Sequence, residues 1–199
     1  MTSQRNVIIF FIALTSFHLT SCRNYNSEEY LKMEEQAINE LIPMMTDLQY
    51  MTKANHAGID SLKLYIISSL DTTIYPPHFP TNDLDINYQD DLRRYNKENR
   101  LFAPIINGTL KKRSIQNNFT CKGLIIDLAP LENSMDLAKN PDVLGVLTIS
   151  RIYFERGFKK GYLSYTFYCG TGCCWSNNVE IRKIDGKWIF SEIFSGGIA

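Results

Sequence analysis

Apolar residues recur at helical spacing between residues 28 and 48. Leu31, Ile38, Leu41, Ile42, Met45 and Leu48 fall along one side, with Lys32, Glu35, Asn39 and Glu40 between them. Ser27 is placed to cap this helix, and Glu28-Glu29 in the first turn complement its dipole. Pro43 lies inside the pattern, and its missing N–H and ring clash predict a break or kink near Leu41. Residues 54–58 read as a connector. Leu62 to Leu70, Leu-Lys-Leu-Tyr-Ile-Ile-Ser-Ser-Leu, reads as a strand. The prolines of Tyr75-Pro76-Pro77-His78-Phe79-Pro80 make a rigid loop. Residues 88–100 are heavily charged and read as an exposed helix with a narrow inner stripe of Leu92, Tyr95 and Asn99. Phe102 to Leu110 carries Pro104 and Asn107-Gly108 and reads as a loop or broken strand. Leu124 to Leu128 is a short strand. No element is assigned between Ala129 and Asp142.

The remainder is patterned for strands. Val146 to Phe154 is one, and Gly157 to Gly161 turns the chain. Tyr162 to Cys169 alternates, with Leu163, Tyr165, Phe167 and Cys169 on one face and Tyr162, Ser164, Thr166 and Tyr168 on the other. Gly170-Thr171-Gly172 turns again before a strand from Asn178 to Ile184. Asp185-Gly186 is a two-residue hairpin signal that needs positive φ, with Ile184 and Lys187 flanking it. Lys187 to Ile193 is the last strand, and Val179, Ile181, Trp188 and Phe190 bring apolar groups to this hairpin. The fold class is therefore α+β. An N-terminal helix packs on a mostly antiparallel sheet of about five or six strands that ends in a four-strand meander.

Residues 1–22 follow a different pattern. Arg5 precedes an unbroken apolar run, Val7 to Leu14, and Leu19-Thr20-Ser21-Cys22 closes the segment. A positive start, a short apolar stretch and small residues before a cut site make a secretory signal peptide. A membrane span needs about 20 apolar residues, and here Thr15, Ser16, His18, Thr20 and Ser21 follow the run. The closing tetrapeptide resembles the lipobox of bacterial lipoproteins. That resemblance implies cleavage before Cys22, a lipid on its thiol, and a membrane anchor in the bacterial cell envelope, with the outer membrane expected. Residues 1–21 are then the signal peptide, 22–27 the lipidated cysteine and a short tether, and 28–199 a single α+β domain. Ile149-Ser150-Arg151-Ile152-Tyr153-Phe154, Tyr168-Cys169-Gly170 and Asp185-Gly186-Lys187-Trp188 also resemble the end of a group of uncharacterised bacterial envelope proteins. This second resemblance covers the C-terminal quarter and implies a fold, not an activity.

Removing residues 1–21 leaves 178, enough for one domain with a core. The 21 basic and 21 acidic residues balance, so no basic surplus points to nucleic acid. Lys111-Lys112-Arg113 and Lys159-Lys160 read as solvated loops.

Four cysteines remain beyond Cys22: Cys121, Cys169, Cys173 and Cys174, which allow three pairings. The run Cys169-Gly-Thr-Gly-Cys173-Cys174 admits three readings. The expected one is a structural disulfide, with Cys169 opposite Cys173 or Cys174 and Cys121 taking the one left over. Structural zinc calls for two knuckles, and one is present. Thiol redox catalysis uses Cys-x-x-Cys at a helix start, whereas this spacing is wider and lies between strands. His56 and His78 read as exposed loop histidines. Asp83/Asp85 and Asp90/Asp91 read as solvated charge. Trp188 reads as half-buried core, and Trp175 is open between core and stacking roles.

No residue is assigned to catalysis, to a metal or to a cofactor, and no cofactor is expected. The expected function is a lipid-anchored envelope protein with a binding or structural role. It meets the membrane through its lipid, can meet a protein partner in the envelope, and is not a nucleic-acid binder. The alternatives are an immunity-type or inhibitor lipoprotein, and a thiol-redox enzyme or hydrolase of the envelope.

Overall fold

The computed structural model describes residues 24–49, 62–70, 88–116 and 119–198. The chain divides into two compact units, Met1–Lys32 and Met33–Ala199. In the described part of the first, Ser27 Oγ accepts the Tyr30 N–H at 3.3 Å, and the Tyr25 and Tyr30 rings meet edge-on at 5.5 Å. Ser27 thus caps α1, Glu28–Met45.

Of the expected break or kink near Leu41, no break occurs: α1 runs unbroken through Pro43 to Met45. The proline falls in the last turn, where it removes a single helix N–H. The helix ends just beyond, where the Thr46 N–H and hydroxyl both reach the Ile42 carbonyl, at 3.1 and 2.8 Å. Asp47, at φ 43°, takes the left-handed position that closes many helices.

The second unit continues with β1 (Leu62–Ile67), β2 (Ser69–Leu70), α2 (Tyr88–Ile106), β3 (Arg113–Ser114) and β4 (Leu124–Ala129). A 3-10 turn at Leu131–Asn133 leads into α3 (Ser134–Leu137). Then come β5 (Val143–Ile149), β6 (Tyr153–Phe154), β7 (Lys160–Tyr168), β8 (Cys174–Ile184) and β9 (Lys187–Ile198).

The expected loop from Phe102 is instead the last part of α2. Pro104 again sits in a final turn, and Asn107-Gly108, with Gly108 at φ 68°, ends the helix. Its buried residues are Glu98, Phe102 and Ile105, not the expected stripe of Leu92, Tyr95 and Asn99, which is only half-buried.

Among the described residues the main sheet runs β4-β1-β5-β7-β8-β9, with β6 also paired to β7. The fold is α+β, and the sheet is mixed. β1 pairs in parallel with both β4 and β5, as in Leu62↔Leu124 and Tyr65↔Val146. β5, Val-Leu-Gly-Val-Leu-Thr-Ile, is buried along nearly all its length, as a strand covered on both faces must be. Gly145 there leaves room for a neighbour, since a Cβ would stand 2.6 Å from the Phe167 ring.

From β5 onward the pairing is antiparallel. The strand expected over Val146–Phe154 divides around Arg151 into β5 and β6. The final hairpin has Ile184 opposite Lys187, with Asp185 at φ 49° and Gly186 at φ 82°. β9 continues past its expected end at Ile193.

Helices lie on both faces of this meander. The Met33–Met45 stretch of α1 is fastened to one face. There Trp175 Nε1 donates to the Met45 carbonyl at 3.1 Å, and the Trp188 N–H donates to Glu40 Oε2 at 2.6 Å. Ala37, Ile38, Leu41, Ile42 and Met45 are fully buried, as are Leu163, Phe167, Val179 and Ile181. α2 lies on the opposite face, where the Phe102 ring meets Tyr162 and Phe194 edge-on, each at 5.7 Å.

Candidate functional site

The cysteine turn forms one bond. β7 ends at Tyr168, glycines at φ 114° and 72° turn the chain, and the Cys169 N–H donates to the Cys173 carbonyl at 2.8 Å. Cys169 and Cys173 are joined by a disulfide. Cys121 does not take the cysteine left over: Cys121 and Cys174 are both free. Cys174 already lies inside β8 opposite Tyr168, which leaves Cys173, one position nearer the turn, to meet Cys169. Burial raises the pKa of both free thiols, which keeps them protonated and weakly nucleophilic.

Cys22, His56, His78, Asp83 and Asp85 lie outside the described residues. Asp90 and Asp91 are exposed in the first turn of α2, and Asp90 pairs with Arg93 at 3.1 Å. Among the described residues no group of three His, Cys, Asp or Glu side chains is placed to hold a metal. Trp188 is more deeply buried than expected, at 1% exposure. Trp175 is half-buried, held through Nε1 and packed on Phe167 at 4.7 Å.

Two polar constellations escaped the sequence reading. The first centres on Glu34, which is fully buried. Its Oε1 accepts the Arg151 Nε–H at 2.9 Å and the Ile152 N–H at 2.7 Å, and its Oε2 accepts from Arg113 Nε at 2.9 Å. Arg151 is itself fully buried and donates to the Lys111 carbonyl at 2.6 Å. Arg113 reaches Glu35 as well, at 3.2 Å, with only 15% of its side chain exposed. Arg113 is therefore not part of a solvated loop. The available signal was Glu34's place on the apolar stripe, three residues after Leu31 and four before Ile38.

The second centres on Glu180, on the α2 face. It takes Lys160 Nζ at 2.7 Å, Arg182 Nε at 2.8 Å and the Ser191 hydroxyl at 2.8 Å. Burial disfavours its charge, but the Lys160, Ser191 and Arg182 hydrogen bonds outweigh that and lower its pKa. Lys160 is thus not a solvated loop residue either. Beside it, Tyr162 donates to Glu155 Oε1 at 2.7 Å, and burial pushes the phenol up to about 12. The Glu34 constellation joins elements distant in sequence, and the Glu180 constellation joins the successive strands β7, β8 and β9.

Open space lies elsewhere. A cleft of about 650 Å³ is lined by Pro43, Met44, Asp47, Leu48, Gln49, Cys121, Lys122 and Phe190. The end of α1, the turn before β4 and the start of β9 build it. Its aromatic wall is fixed from behind: Phe190 stacks on Tyr165 at 5.7 Å, and the Tyr165 hydroxyl accepts from Asn177 Nδ2 at 2.9 Å. Asp47 and Lys122 are exposed in this cleft, and neither forms an ion pair among the described residues.

No protein-family model, curated protein or solved structure matches this chain.

Proposed function

We propose that this chain is a lipid-anchored protein of the bacterial cell envelope whose folded body binds a partner there. The Leu19-Thr20-Ser21-Cys22 sequence supports the anchor. The structural observation that carries the reading is the Cys169–Cys173 disulfide, a bond that persists in oxidising compartments outside the cytosol. Binding has a place to occur. The cleft at the end of α1 falls within the roughly 300–1,000 Å³ of small-ligand sites and combines apolar walls with a few polar groups. The raised pKa values of Cys121 and Cys174 favour this reading over thiol chemistry, which needs a thiolate.

Fatty-acid labelling tests the anchor. The parent chain should incorporate label and partition with membranes, and Cys22→Ser should do neither. Equal labelling of the two would remove the reading.

A further inference from the structure

We infer that the cleft at the end of α1 holds a short apolar peptide by its two charged ends, an inference that rests on the binding role proposed above. Asp47 and Lys122 bring opposite charges to one cleft without an ion pair between them. A carboxylate is thereby left for a ligand's ammonium, and an ammonium for its carboxylate.

The rest of the lining is mostly apolar: Pro43, Met44, Leu48 and Phe190. Cys121, protonated through burial, adds no third charge. The space, about 650 Å³, takes a peptide of a few residues and not a folded domain. Two fixtures hold the walls before any ligand arrives. Tyr165 supports Phe190, and Trp175 grips the last carbonyl of α1. Walls held in advance reduce the ordering cost of binding. A purely apolar occupant, such as an acyl chain, would leave both charges unused.

The test is calorimetric titration of the chain, purified as the cell produces it and reconstituted through its anchor into detergent-free phospholipid vesicles, with Leu-Leu-Leu. N-acetylated and C-amidated tripeptides are the comparators, and iodoacetamide alkylation of Cys121, mapped by mass spectrometry, is the second readout. The free tripeptide should bind and slow alkylation of Cys121. Each cap should weaken binding about threefold or more, the scale of one exposed charge pair. Asp47→Asn should abolish the preference over the acetylated peptide alone, and Lys122→Gln the preference over the amide alone. Both side chains are exposed, so the parent melting temperature should be kept.

Equal affinity for capped and uncapped peptides overturns the inference in favour of an apolar occupant. No binding overturns it outright. If the titration fails while Cys22 is still labelled, the anchor stands and the peptide site falls. If labelling fails while the titration succeeds, the reverse holds.

Discussion

Removing the Glu34 carboxylate should unfold this protein far more readily than removing any surface charge. Glu34 and Arg151 are both fully buried, and the Glu34 carboxylate holds Arg151 Nε through both of its oxygens. Glu34→Ala removes that carboxylate from beside a buried guanidinium and takes away an acceptor of the Ile152 N–H. Breaking one side of a buried ion pair costs about 3–5 kcal/mol. For a chain of this size each kcal/mol moves the melting temperature by about 2–4 °C, so the drop should be about 6–20 °C. Glu34→Gln keeps the shape and one acceptor and should cost less. Arg151→Met should be milder than Glu34→Ala, because Glu34 keeps Arg113 and the Ile152 N–H. The double change Glu34→Leu with Arg151→Met removes both charges together and should melt above Glu34→Leu alone. Circular dichroism melts of the five variants decide it. A Glu34→Ala melt within about 2 °C of the parent, less than 1 kcal/mol, would refute the argument. So would a double variant as unstable as the two single losses added.

Three further changes have defined outcomes. Gly186→Val should cost about 1–3 kcal/mol from backbone strain alone, since Gly186 lies at φ 82° and an added Cβ would touch nothing. A melting curve superimposable on the parent would contradict it, and Gly186→Asn should lose less. Cys169→Ser should lower stability by about 2 kcal/mol, the chain-entropy value for so short a loop (sequence separation 4). Peptide mapping without reductant should recover Cys169 linked to Cys173 and to no other cysteine. Tyr162, with its folded pKa pushed up to about 12 by burial, stabilises the fold fully below the unfolded phenol value near 10. That contribution is lost as pH rises from about 10 through about 12, so the Tyr162→Phe denaturation midpoint should fall less steeply over that window. Identical slopes for variant and parent would exclude Tyr162 as the source.

Local patterns carried the elements whose partners lie close by. The Leu/Ile repeat of α1 and the Asp185-Gly186 turn each depend on a few neighbouring residues, and both are where the pattern put them. Features made at long range were not legible. Glu34 finds Arg113 79 residues away and Arg151 117 residues away. A helical pattern assigns a glutamate outward unless such partners are known. The helix at 88–100 was legible, but its buried side was not, for a related reason. Its charge pointed to a stripe of Leu92, Tyr95 and Asn99, whereas the buried side uses Glu98, satisfied by Asn178 Nδ2 at 2.7 Å. The parallel pairing of β1 was hidden because a short apolar run does not name its neighbour. The cleft draws on residues 43–49, 121–122 and 190, no one of which is distinctive in sequence.

The two faces of the meander are held by different physics, and the difference explains what the alternation of β7 could and could not reveal. Leu163 and Phe167 lie on the face that carries α1, among apolar residues whose burial is favourable in many arrangements. The opposite set, Tyr162, Ser164, Thr166 and Tyr168, reads as the polar half of an alternating strand, yet α2 lies on that face. Ser164, Ser176, Asn178 and Glu180 there are all at or below 5% exposure. Covering such a face costs least where its polar groups are met. Here Thr166 Oγ1 pairs with Ser176 Oγ at 2.7 Å, Ser164 N–H with Ser150 Oγ at 2.9 Å, and Asn178 with Glu98. Apolar surfaces tolerate sliding, but directional bonds do not: moving α2 by one turn would break the Glu98–Asn178 bond. α1 is pinned over its apolar face at single points, by Glu34, Glu40 and Trp175, whereas the polar face itself helps to fix the register in which α2 sits.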